Sequence, residues 1–234
     1  NGRPSKVLNY GIVVLLIAYL SLFAGLRTSY NDTPAYISGY KAMSAFPAIL
    51  TDFSWELGDN PGFTLLNSMM KAAGFSAQAF VLTYSILFVA AAVSFLKKYS
   101  SSFTLSIFLF VCAYGYLFSM AAIKQCASIA IGLIATPYLL KKKWISYVLI
   151  IFFAATFHPY ILLFLLMPLL RFKPWTGGTW ILLLTAVGAG LFLPRIIGTV
   201  VDAAALLGDG YDATKFIGEG VNIFRVLVAS VSVL

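Results

Sequence analysis

Long stretches of this chain carry no charge at all, and no other feature constrains its fold as strongly. Tyr10–Gly25, Phe80–Leu96, Phe103–Met120 and Ile145–Thr156 are uncharged throughout. The chain is 61% hydrophobic and 10% charged, against roughly 45–50% and 25% for a soluble domain. A soluble fold of this size cannot hide so much apolar surface, whereas a bilayer accepts it. A comfortable span needs about 20 apolar residues, so several stretches predict short or tilted helices. The fold class that follows is all-α, a polytopic transmembrane helical bundle.

The formal charge of +8 raises nucleic acid as a partner, but its distribution argues against that. Basic residues sit in small clusters between apolar runs, the pattern that marks cytoplasmic loops. A wide basic face of the kind nucleic acid needs is missing from the pattern. Cys112 and Cys126 both lie in apolar runs with no CxxC or Cys/His partner, so they read as small buried hydrophobes. A start at Asn1 without methionine and an end at Leu234 inside an apolar run suggest a single transmembrane domain, 1–234, cut from a longer protein.

Spans alternate with charge. Arg3 and Lys6 precede an outward span, Leu8–Leu26, and Arg27–Asn60 is a long external loop. Pro61–Gly74 carries Phe63, Leu66, Met69 and Met70 at helical spacing, too short to cross and suited to the outer interface. Ala77–Leu96 returns to Lys97-Lys98, Phe103–Met120 goes out, and Ala122–Leu140 returns to Lys141-Lys142-Lys143. Ile145–Phe157 and Pro159–Leu170 form a broken pair ending at Arg171 and Lys173. Thr179–Leu193 leads to a second external loop, 194–220, and Val221–Leu234 begins the return. All eight acids, Asp32, Asp52, Glu56, Asp59, Asp202, Asp209, Asp212 and Glu219, then fall in the two external loops. The positive-inside rule picks this orientation without conflict.

Two breaks matter. Phe103–Leu140 is too long for one span at about 1.5 Å per residue, so a reversal is expected near Met120–Gln125. Ile145–Leu170 breaks at His158-Pro159 into halves too short to cross comfortably, and such re-entrant pieces are tolerated where they line a protein cavity.

Polar residues gather on the expected outer side. Lys124, among Ala121, Ala122, Ile123 and Cys126, is costly unless it functions or snorkels to the interface. Gln125 adjoins it. His158, the only histidine, is a hydrogen-bonding residue of the break or a proton-transfer group. Asp32 precedes Thr33-Pro34, where a helix cap is the plain reading. Asp59-Asn60-Pro61-Gly62 reads first as a turn. Metal-ligand spacing is not present in the sequence.

Taken in order, these residues resemble a known family. Arg27-(x4)-Asp32-Thr33-(x2)-Tyr36, Asn60-Pro61-Gly62-Phe63-(x2)-Leu66-Asn67, Ile123-Lys124-Gln125-(x)-Ala127 and Phe157-His158 are similar to the signatures of EpsG-like, Wzy-type polysaccharide polymerases. The resemblance runs from Leu20 to Leu170, and more weakly through Tyr211–Arg225. It departs at Lys124, where the family usually has arginine, and at Asn60, where it usually has glutamate, although Asp59 is adjacent.

The resemblance implies a GT-C-like, metal-independent membrane glycosyltransferase with no cofactor. Its expected substrate is a polyprenyl-diphosphate-linked oligosaccharide, polymerised on the outer face of a bacterial plasma membrane. Further partners are the bilayer and other polysaccharide-assembly proteins. Asp32 would be the first choice as catalytic base and His158 the second. Arg27, Tyr36, Asp59, Lys124 and Gln125 would bind substrate. Rival readings are a transporter or flippase, a membrane acyltransferase using His158, and a non-enzymatic assembly component. The outer clustering of polar groups disfavours the first two.

Overall fold

A computed structural model describes residues 6–113, 115–171, 176–181, 183–185 and 188. The chain divides into two compact units, Asn1–Leu169 and Leu170–Leu234, and the elements named below belong to the first, apart from the last two residues of the final one. The expected loop at 194–220 and the span at 221–234 lie outside the described residues, and so does much of 179–193.

Among the described residues every element is helical. The order is α1 (Lys6–Gly25), α2 (Thr33–Ala42), 3₁₀ turns at Ala48–Asp52 and Leu57–Asp59, α3 (Pro61–Ala72), α4 (Ala77–Tyr99), α5 (Phe103–Cys112), α6 (Gly115–Ala121), α7 (Ile123–Leu140), α8 (Trp144–Ala155) and a 3₁₀ segment, Pro159–Arg171. Two helices, α4 and α7, are long and apolar enough to cross a membrane, and a third span results if α5 and α6, bent by 47°, count as one. Shorter apolar stretches occupy Tyr10–Gly25, Trp144–Ala155 and Pro159–Pro168. The broken, short halves expected around His158 are therefore present. The break expected near Met120–Gln125 falls at Ala122, whose backbone leaves the helical region between α6 and α7.

Helix α4 is central, packing on α1 and α7, while α7 also packs on α8. Its sequence explains this. Phe80, Val81, Tyr84, Ser85, Phe88, Val89, Ala92 and Val93 are buried at helical spacing. Ser76 caps its start by accepting from the Ala79 amide (3.1 Å), and Lys97 and Lys98 sit in the last turn, where the helix dipole favours cations. The α1–α4 approach is close because Gly25 lacks a side chain: a Cβ there would meet the Leu82 backbone at 2.8 Å. The opposite faces of α1 and α8 leave Tyr10, Leu15, Phe23, Ile145 and Leu149 exposed, at 60% or more for each. An apolar girdle of this kind suits lipid.

The stretch 27–60 is more ordered than a plain loop. It contains α2, opened by Pro34 in its first turn and tied to α3 by Lys71. The Lys71 ammonium donates to the carbonyls of Tyr40 (3.3 Å), Lys41 (2.6 Å) and Met43 (2.6 Å), satisfying the open end of α2. The resulting assembly sits at the end of the bundle where α1 finishes and α4 starts, because Gln78 Nε2 reaches the Arg27 carbonyl at 3.2 Å.

Lys97 and Lys98 lie in the last turn of α4, and Lys141–Lys143 follows the end of α7. Single cysteines, placed after Cys112 and Cys126 are replaced, test this sidedness. Residue 142 is expected to react from the cytoplasm and residue 124 from outside, and cytoplasmic labelling of residue 124 would reverse the topology.

Candidate functional site

Asp32, Tyr36 and Lys124 line one cavity of about 430 Å³, together with Asn67, Thr64, Tyr40, Phe63 and Phe80. That volume lies in the ~300–1,000 Å³ range of small-molecule sites. Four pieces of chain build it: α2 with its N-cap, α3, the start of α4 and the start of α7.

Asp32 occupies the N-cap position of α2, yet its side chain makes no capping hydrogen bond. Its carboxylate is exposed and borders the cavity. The helix-cap role that explains many aspartates before Thr-Pro therefore does not account for it. Tyr36 stands one turn later. Burial raises its phenol above the ordinary tyrosine value, and a hydrogen bond from the Lys124 backbone N–H, at the start of α7, opposes that shift. The phenol stays protonated and can donate into the cavity. The Lys124 ammonium lies 5.7 Å from the centre of the Phe63 ring, within cation–π range. Phe63 in turn packs edge-on to Phe80 and Tyr36.

Arg27 supports this wall from behind and does not line it. Its Nε donates to Thr33 Oγ1 (2.9 Å), and its Nη1 donates to Ser85 Oγ (3.2 Å) and to the Ala24 carbonyl. Nη2 is buried with no hydrogen-bond partner among the described residues. Burial lowers the guanidinium pKa from its ordinary value, although arginine remains charged. Fully buried Thr33 passes the contact on, donating to the Met120 carbonyl at 3.4 Å. The loop carrying Asp32 is thereby fastened to the break before α7.

His158 lies apart from this cavity, in a second cluster built by the turn before α3. Asn60 adopts the left-handed conformation (φ 55°, ψ 59°), which asparagine tolerates better than most residues. Its Nδ2 donates to the Gly58 carbonyl (2.8 Å), which turns Oδ1 toward His158 Nδ1 at 3.4 Å. Only a protonated Nδ1 can donate to that oxygen, so the contact selects the tautomer whose acceptor is Nε2. Gly62 then donates its N–H to the Thr156 carbonyl (2.9 Å), and Ser128 donates to the His158 carbonyl (3.2 Å). Asp59 is exposed and Gln125 half-buried, and neither lines the cavity. In this fold Asn60, and not the adjacent acid, reaches the histidine.

Sequence reasoning singled out neither Thr33 nor Asn67 as a site residue. Both are polar and almost fully buried, at 0% and 1% exposure. Their presence inside the quoted motifs was the available signal, and burial supplies the reason.

A family model described as the EpsG family matches residues 11–228. No curated protein and no solved structure matches the chain.

Proposed function

The chain belongs to the EpsG family, a polysaccharide polymerase-type group of membrane proteins, and from that premise we propose that it joins polyprenyl-diphosphate-linked oligosaccharide repeat units on the outer face of a bacterial plasma membrane. The observation that carries this reading is the shared cavity of Asp32, Tyr36 and Lys124. It brings a carboxylate and a cation to one pocket together with the rings of Tyr36, Tyr40, Phe63 and Phe80.

In this reading a hydroxyl of one lipid-linked repeat attacks the anomeric carbon of another. The new glycosidic C–O bond forms as the bond to the diphosphate breaks, and the bonding pair leaves with the diphosphate. Asp32 takes the hydroxyl proton. Lys124 stabilises the negative charge that gathers on the leaving group. Tyr36 offers its O–H to the same substrate. Arg27 holds the Asp32 loop in place through Thr33, and its unpartnered Nη2 is a second source of positive field. His158, oriented by Asn60, is the alternative base. An already activated leaving group needs no metal, and the chain's own groups suffice for each step named.

The transport alternative asks for polar groups along a path through the bilayer. Among the described residues, the groove between α4 and α7 toward Lys98 is lined by Ile86, Leu87, Ala90, Ala91, Phe95, Leu133 and Ile134, with Ser94 the polar exception before the interface. That groove favours lipid chains over a polar solute.

Purified protein in vesicles, supplied with lipid-linked repeat unit, is expected to form a ladder of longer glycans and release polyprenyl diphosphate. Movement of unaltered substrate across the vesicle wall, with no ladder, would establish the transport reading instead.

A further inference from the structure

The amide of Asn67 has one end engaged by the fold and borders the cavity. Asn67 is 1% exposed, yet it lies on the cavity wall, one turn beyond Phe63 on the same face of α3. Burying an amide is costly unless its donors and acceptors are used. The Tyr84 hydroxyl satisfies the acceptor, donating to Oδ1 at 2.9 Å. Tyr84 stands on α4 and is itself 3% exposed, so this bond is shielded from competing water. In this arrangement the amide turns Oδ1 toward α4. With Oδ1 turned to α4, Nδ2 is the end presented to the cavity, and the described residues supply no acceptor for it.

We infer that Asn67 is a substrate-binding residue whose Nδ2 donates to an oxygen of a sugar unit held in the cavity against Phe63. This inference rests on the polymerase reading and gives it a sugar subsite. The chemistry favours a sugar over a phosphate at this point. A neutral amide offers directed hydrogen bonds without charge, and the neighbouring aromatic carbon suits the apolar face of a pyranose. Phosphate oxygens are better served at the Lys124 side of the same cavity. With Oδ1 engaged by Tyr84, Asn67 meets the cavity as a donor. The sugar must therefore bring an acceptor oxygen to that position, which makes Asn67 a specificity-determining residue.

The test separates the donor from the packing. Tyr84→Phe is made first, so that no hydroxyl is left stranded by the next change, and Asn67→Leu is added in that background. Binding of the free repeat-unit oligosaccharide to detergent-solubilised protein is followed by saturation-transfer NMR, with inorganic pyrophosphate as the competing probe and polymer formation recorded alongside. The second step is expected to weaken oligosaccharide binding by about tenfold, the scale of one neutral hydrogen bond, and to leave pyrophosphate binding unchanged. Unchanged oligosaccharide affinity overturns the inference, as does a loss confined to pyrophosphate. If the double variant is unstable, Asn67→Asp in the otherwise wild-type chain removes the donor and keeps an acceptor for Tyr84, with the same outcomes. A tenfold binding loss in the variant, with no polymer from the wild-type chain, would uphold the subsite and reject the polymerase reading. Polymer formation with unchanged oligosaccharide affinity would do the reverse.

Discussion

Asp32→Asn protein is expected to reach the membrane at the wild-type level and to polymerise at least ~10²-fold more slowly, the scale of losing a general base. The side chain is exposed and makes no cap hydrogen bond, so replacing it removes little that holds the fold. Asparagine is also a good residue at a helix N-cap. Loss of activity without loss of protein would therefore belong to chemistry. Lys124→Ala is its companion, expected to cost about 10²–10³-fold if the ammonium stabilises the leaving diphosphate. Lys124→Arg should restore most of that rate. The position accepts arginine in the family motif, and a guanidinium offers a forked donor where lysine offers a point charge. Full-length polymer from Asp32→Asn would remove Asp32 as the base and transfer that role to His158. Full-length polymer from Lys124→Ala as well would dissolve the assigned site.

The helical, membrane-type character was legible because bilayer solvation leaves a coarse mark on sequence. Uncharged runs mark the apolar helices, while lysines in the last turn of α4 and just after α7, and the break at His158-Pro159, fall at element ends. Helix α2 was not legible. Its sequence, TPAYISGYKA, mixes small, polar and aromatic residues with little sidedness, and it is held by Lys71, some thirty residues away, through the carbonyls of Tyr40, Lys41 and Met43. The site divides in the same way. Motif order tied Asp32 to Lys124 and His158; Asp32 and Lys124 do line one cavity, with Tyr36, but His158 lies outside it. Order alone could not tell that Arg27 stands behind Thr33, or that Asn60 and not Asp59 turns toward His158. Those outcomes depend on which side of a turn each side chain leaves, and the left-handed backbone at Asn60 decides one of them. Asn67 illustrates the same limit, since its partner Tyr84 belongs to a different helix and carries no motif of its own.

Gly62→Ala is expected to loosen the structure that joins these motifs, against the local preference of the helix. Alanine in place of glycine ordinarily favours a helix by up to about 1 kcal/mol, and Gly62 lies in the first turn of α3. Here the surroundings oppose it. A Cβ at this position would stand 2.1 Å from Thr156 Oγ1 and 2.9 Å from Thr156 Cβ, with a Phe157 ring carbon at 3.2 Å. Thr156 cannot simply swing away, because its carbonyl receives the Gly62 N–H at 2.9 Å and its hydroxyl donates to the Phe153 carbonyl at 2.7 Å. Overpacking of this kind costs about 1–3 kcal/mol, and relief requires α3 to move off the Phe157-His158 turn. That movement would carry Phe63 and Asn67 away from Lys124, and Asn60 away from His158. The expected result is a lower melting temperature together with shortened or absent polymer, both partly restored by adding Thr156→Gly, which removes the two nearest atoms. A Gly62→Ala protein that melts and polymerises like wild type would mean that α3 and the histidine turn do not pack this closely. The route by which the motif around Asn60 reaches the one containing His158 would then have to be sought elsewhere.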